Sequence, residues 1–351
     1  MTVVRRVFAI QAQDATAADL GIRVRGRDIT AQAIRTAYEK ERSIVRNWYM
    51  RGTLHTIPSD DARWVLQLLS PRILAATSRR YQQLGLGDDL RRRADHLIRR
   101  ALAAHGPLTR AELTERLTAL GIPPDGQAPF YLIRHAALTG ILCHGPQRAG
   151  EGTYVLLDDW LPSTGRFRWE GDDALAELAR RYLAAHSPAT LEDFAAWSGL
   201  PITWARRAWK VLAESGVITE YGALTMLAGR VKELPRSSDT PDVRMLPAYD
   251  NYLIGYRTRE ASAPLSTRLL VGAPPLPSPQ HRRPCLCCSP VCRCARLGPR
   301  ASLAHALKRT PGGAERVWTR LGRVSGSVHG EEQVPTAVRE APGPSAPGRC
   351  S

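Results

Sequence analysis

The chain has 351 residues, 43% of them hydrophobic, with 49 Lys and Arg against 33 Asp and Glu for a formal charge of +16 at pH 7. That length buries a sizeable core in two or three modules without help from metals or disulfides, and no stretch approaches the roughly 18 apolar residues of a transmembrane helix or the apolar region of a signal peptide. The expected location is therefore cytoplasmic, and the basic excess favours polyanionic partners, nucleic acid before an anionic membrane surface, although more than half of it lies beyond residue 260.

Residues 3–13 and 31–50 carry mixed apolar and basic helical patterns, separated by the glycine-containing "LGIRVRGRDIT". The segment "RNWYMRGTLHTIP" then predicts a turn into a short strand ending at Pro58. In "SDDARWVLQLLSPRIL", Ser59 is a possible cap, Asp60 and Asp61 suit a first turn, and Pro71 should stop or bend the helix.

From about Arg91, Leu97, Ile98, Ala101 and Leu102 share an apolar face, and "GPLTRAEL" gives a turn, a threonine cap and a second helix. A third helix over "PFYLIRHAALTG" precedes two short strands around a basic glycine loop. Three helices followed by a strand pair is the order of a winged helix, with a generic small helical subdomain as the alternative.

The pattern recurs from about residue 170, with helices near Leu191–Trp197 and Ile202–Glu214 separated by Gly-Leu-Pro. That spacing matches a helix-turn-helix, whose second member can enter a major groove. Arg206 and Lys210 share a face with Thr203 and are flanked by Arg207, while Trp204, Ala208 and Leu212 point inward. Arg206, Arg207 and Lys210 are candidate phosphate contacts; a solvated charged face is the alternative.

Residues 261–351 form a basic Pro/Cys-rich tail without helix or strand period. Six of the seven cysteines lie there, but "CLCCSPVCRC" lacks the spacing of paired metal-binding knuckles. A disordered tail, or coding DNA read out of frame, accounts for the composition, and no metal or cofactor is expected from it.

Taken together, "FAIQAQD", "VRNWYMRGTLHTIPSDDARWVLQLLSPR", "TLEDFAAWSGLP" and "LPAYDNYLIGYRTR" resemble the winged-helix DNA glycosylases of the AlkZ type, over roughly residues 3–260. The resemblance implies a mainly α fold with small β-wings. Its tandem winged-helix domains cover 1–90, where the first helix of the family is expected to be missing, 91–160 and 170–235. Residues 236–260 would begin a C-terminal β-rich domain that is otherwise lost or unrecognisable. It also implies a monomer without cofactor that excises N7-alkylated purines, bulky adducts and crosslinks included, with Gln11 and Gln13 matching the family's Gln-x-Gln motif.

A carboxamide both donates and accepts hydrogen bonds, so it can hold a water near the anomeric carbon. If residues 11–13 are extended, the two side chains share a side; if helical, they diverge by about 200°. Gln13 is expected to position the water and Gln11 to support it or contact the sugar-phosphate backbone. Asp14 supplies a carboxylate for the reaction or caps the next element. Arg51 and His55 are further candidates for backbone or lesion contacts, with a structural histidine as the alternative at His55. A noncatalytic DNA-binding protein is the competing function.

Overall fold

The computed structural model describes residues 2–161, 169–233 and 245–258. The tail over 261–351, its cysteine cluster and residues 236–244 and 259–260 lie outside the described residues. The structure is mainly helical with three small antiparallel sheets, consistent with winged-helix domains. Among the described residues no helix is long and apolar enough to cross a membrane.

The chain begins with α1 (Thr2–Val7), β1 (Ile10–Gln11), α2 (Ala15–Arg23) and α3 (Ala31–Glu39). Strands β2 (Ile44–Trp48) and β3 (Leu54–Pro58) then form a hairpin that leads into α4 (Ala62–Gln83). The sheet order is β1-β3-β2.

Three local expectations are corrected here. The helix expected over 3–13 stops at Val7, because Phe8 and Ala9 take positive φ (50° and 54°) and turn the chain so that both side chains are fully buried. The pattern over 31–50 ends at Glu39 and resumes as β2, whose Ile44, Val45, Asn47 and Trp48 are buried on both faces, leaving no alternation to read. Ser59 caps nothing: its hydroxyl donates to the Arg42 carbonyl at 2.5 Å.

Nor does Pro71 end α4. It sits on the exposed face with Gln67, so the carbonyl four residues back that loses its N–H partner meets water.

Next come α5 (Asp88–His105), β4 (Leu108–Thr109), α6 (Arg110–Leu117), α7 (Ala128–Leu138), β5 (Leu142–Arg148), β6 (Glu151–Leu156) and the short α8 (Leu157–Trp160). Thr109 and Glu112 make a reciprocal capping box at the start of α6, worth roughly 1 kcal/mol. The β5–β6 pair turns at Ala149 and Gly150, both at positive φ.

The three-helix order returns in α9 (Gly171–His186), α10 (Leu191–Ser198) and α11 (Ile202–Glu214), followed by the hairpin β7 (Ile218–Tyr221) and β8 (Leu224–Leu227). Thr190 and Asp193 form a second capping box, and Gly199 closes α10 in the left-handed conformation. Residues 245–258 contain α12 (Asn251–Ile254) and no strand.

One core joins the first and third parts, bringing Phe8, Tyr49, Met50 and Trp64 together with Tyr182, Phe194 and Trp197. A second core gathers Trp48, Ile98, Leu113, Leu132 and Leu142. A buried charge network ties α9 to the start of α4: Arg181 pairs with Asp61 at 2.8 Å and with Glu177 at 2.6 Å, and Trp64 Nε1 donates to Asp61 at 2.9 Å. Removing one partner from such a network strands the other's charge, at a cost of about 3–5 kcal/mol. The Arg181 guanidinium also stands 5.4 Å from the centre of the Phe8 ring, which fixes the chain just before the glutamines.

The third helices of the two three-helix units, α7 and α11, differ in exposure. No residue of α7 is exposed, because it packs against α4 and β2 as well as its own α5 and α6. In α11, Thr203, Arg206, Arg207 and Lys210 are exposed while Ala205, Ala208 and Leu212 are buried. Of the two third helices, α11 is therefore the one with a solvent-exposed face.

Candidate active site

Gln11 lies in β1 directly opposite His55 of β3. The extended path continues one residue further, with Ala12 N donating to the Leu54 carbonyl at 2.8 Å. The opposite edge of this short strand is closed by a side chain 240 positions away. Asn251 Oδ1 accepts from Gln11 N at 3.1 Å, and Asn251 Nδ2 donates to the Ala9 carbonyl at 3.0 Å. One buried amide thus replaces a neighbouring strand.

Asn251 is itself fixed by its neighbour. Asp250 caps α12 by accepting from Tyr252 N at 2.8 Å and pairs bidentately with Arg25, just after α2, at 2.5 and 2.7 Å. Both acidic oxygens are engaged and the carboxylate is almost wholly buried. The block "LPAYDNYLIGYRTR" therefore acts on the glutamines by bracing their strand.

Both glutamine side chains engage the β2–β3 hairpin. Gln11 Oε1 accepts from Arg51 Nη2 at 3.2 Å, and Gln13 Oε1 accepts from Leu54 N at 2.8 Å. A guanidinium and a backbone N–H only donate, so the atom each contacts must be the amide oxygen. The orientation of both carboxamides follows. Each keeps one acceptor lone pair and an amino group with two donors, enough to hold a water or a sugar oxygen.

The hairpin turn is itself constrained. Arg51 (φ 57°) and Gly52 (φ 68°) are successive left-handed residues, a geometry that hairpins use and that costs a non-glycine residue roughly 1–2 kcal/mol. Glycine suits the left-handed position 52, and a Cβ there would displace the Arg134 guanidinium, whose Nη2 donates to the Gly52 carbonyl at 3.2 Å. On the other side, Arg51 Nη1 donates to the Trp197 carbonyl in the last turn of α10.

Arg51 is exposed, although desolvation by the protein around it lowers its pKa to about 10, which leaves it cationic at neutral pH. His55 is fully enclosed. Burial, and then the Arg51 charge, push its pKa down to about 3 against the pull of the Thr53 carbonyl, which lies 3.0 Å from Nδ1. The ring is therefore neutral at pH 7, with the proton on Nδ1.

Among the other residues singled out from the sequence, Asp14 caps α2 by accepting from Ala17 N at 3.0 Å. Arg207 pairs with Asp172, and Lys210 lies 3.8 Å from Glu214. Arg206 has no ion pair among the described residues. The structure thus brings Gln11, Gln13, Arg51 and His55 together around one hairpin and places the cations of α11 on a separate helix. Asn251, Asp250, Arg25 and Arg134 were not anticipated. Only the quoted block around Asn251 carried a signal, and it gave no role.

Comparison with known proteins places this geometry in context. The family model described as DNA glycosylase AlkZ-like matches residues 4–285. An interstrand DNA cross-link repair glycosylase from Streptomyces sahachiroi is 26% identical over 278 residues, covering 74% of this chain and 72% of that protein. The solved structure of the Streptomyces sahachiroi DNA glycosylase AlkZ superposes with a TM-score of 0.59 at 24% identity, over 77% of this chain and 76% of that one. This last likeness is one of fold.

Proposed function

Because the chain belongs to the AlkZ-like DNA glycosylases, we propose that it hydrolyses the N-glycosidic bond of N7-alkylated purines in double-stranded DNA, bulky adducts and crosslinks included. Glycosylase-type DNA repair is the general activity the family supports. The lesion class and the residue roles are our own assignments. The observation that carries the residue roles is the anchoring of both carboxamides on one hairpin, with their oxygens fixed by obligate donors.

An N7-alkylpurine already bears a positive charge, so the base leaves without strong acid catalysis. Water attacks C1′ as the C1′–N9 bond breaks; the bonding electrons neutralise the purine ring, and the water's proton passes to solvent. Gln13 holds that water, accepting from it through the second lone pair of Oε1, and Gln11 supports it or the sugar-phosphate backbone. His55 stays neutral as part of the hairpin, and Asp14 serves α2. Arg206, Arg207 and Lys210 supply phosphate contacts from α11.

The leaving group brings its own activation, so this chemistry calls for no metal ion or organic cofactor, and it needs one copy of the chain.

The test is incubation of the full chain, in EDTA, with duplexes carrying N7-methylguanine or a bulkier N7 adduct. Release of the free base with an abasic site left behind is the expected result. DNA binding without release would identify a noncatalytic DNA-binding protein instead.

A further inference from the structure

We propose that Arg51 is a positioning residue rather than a DNA contact: its guanidinium sets the orientation of the Gln11 carboxamide and links it to the helix-turn-helix formed by α10 and α11. The proposal rests on the catalytic assignment of Gln11. Its basis is geometric. One nitrogen of the fork donates to Gln11 Oε1 and the other to the Trp197 carbonyl.

Trp197 is in the last turn of α10, where unpaired carbonyls and the helix dipole favour a cation. Gly199, the left-handed residue that ends α10, lies against the Arg51 backbone so closely that an added Cβ would be 3.2 Å from Arg51 Cα and 3.3 Å from Arg51 N. Three residues beyond Gly199, α11 begins, with its exposed Thr203, Arg206 and Lys210.

Arg51 also holds a left-handed backbone where glycine would be unstrained. Such a conformation persists where surrounding contacts over-determine it. Here those contacts run to Gln11 on one side and to the DNA-facing unit on the other, so docking of α11 and orientation of the amide are mechanically joined. A phosphate contact needs no such connection.

The test combines single-turnover excision of N7-methylguanine with the salt dependence of duplex binding, for wild type, Arg51→Met, Arg51→Lys, Gln11→Ala and the double variant Arg51→Met/Gln11→Ala. Positioning predicts that Arg51→Met lowers the rate at saturating enzyme by about 10- to 100-fold. The salt slope stays that of wild type, and the double variant is no slower than Gln11→Ala alone. Arg51→Lys, which keeps the charge but loses the fork, falls between and serves if Arg51→Met does not fold.

A salt slope reduced by about 0.9 with an unchanged rate at saturation would make Arg51 a phosphate contact and overturn the proposal. Should wild type release no base, the proposed function fails on its own. The side-chain amide resonances of Gln11 in 15N-glutamine-labelled protein then decide. Movement toward random-coil positions in Arg51→Met or Arg51→Lys upholds the link, and unmoved resonances refute it.

Discussion

A carboxamide has no intrinsic direction; its neighbours decide which end meets the substrate. At Gln11 and Gln13 the neighbours are obligate donors, so both amides expose amino groups while each oxygen keeps one lone pair. Asn251 is the third amide of the site and holds backbone rather than substrate. Asn251→Leu is expected to leave the Gln11 N–H and the Ala9 carbonyl unsatisfied, costing at least about 2 kcal/mol of stability. It should also slow excision with no change in the salt dependence of binding, which thermal melts and binding titrations measure together. Gln11 and Gln13 were recognisable through the resemblance of "FAIQAQD" and its companion blocks. Asn251 was not, because its role is a hydrogen-bond pair across 240 residues that no local period records.

Among the elements, the contrast between α7 and α11 carries the most functional weight. Only α11 was singled out from the sequence, by the helix-turn-helix spacing before it and its row of cations. Tertiary packing then enclosed α7 and left α11 open. We predict that Arg206→Gln/Lys210→Gln lowers the salt slope of duplex binding by about 1.8, two phosphate contacts' worth. An unchanged slope would return those residues to an ordinary solvated face.

Gly199→Ala tests the joint between α10 and the hairpin. Its φ of 77° and the 3.0 Å approach of an added Cβ to Arg51 Cγ predict a loss of about 1–2 kcal/mol, visible as a lower Tm. Elements with strong local signals were legible: the threonine cap at Thr109 and the amphipathic α11 sit where their residues place them. The start of the chain was not. A two-residue strand has no period, and Phe8 and Ala9 turn at φ values that only their burial explains.

At the scale of the whole molecule, pH and polyanion binding are the readable variables. Burial holds His55 and His144 down at about 3 and His186 at about 4, while burial raises the Asp19 carboxyl to about 6. Below the ordinary histidine pKa of about 6.5, the unfolded chain binds protons that these buried rings refuse, so stability is full above pH 6.5 and falls as pH drops toward 4. Each histidine removes about 2 kcal/mol by pH 5. Asp19 works in the opposite sense, contributing stability below its unfolded pKa of about 4 that is lost as pH rises through 6. Three groups against one give a net loss on acidification, and the denaturation midpoint measured between pH 7 and 5 should fall accordingly.

The central claim is that the two glutamines perform the hydrolysis. It is tested most directly by comparing wild type with Gln11→Ala/Gln13→Ala, measuring duplex binding and single-turnover release of N7-methylguanine in the same samples. The account predicts binding within about threefold of wild type, since phosphate contacts elsewhere supply the affinity. It predicts release slowed by about 100-fold or more, as expected when the groups that place the nucleophile are lost. Undiminished base release by the folded double variant would contradict it.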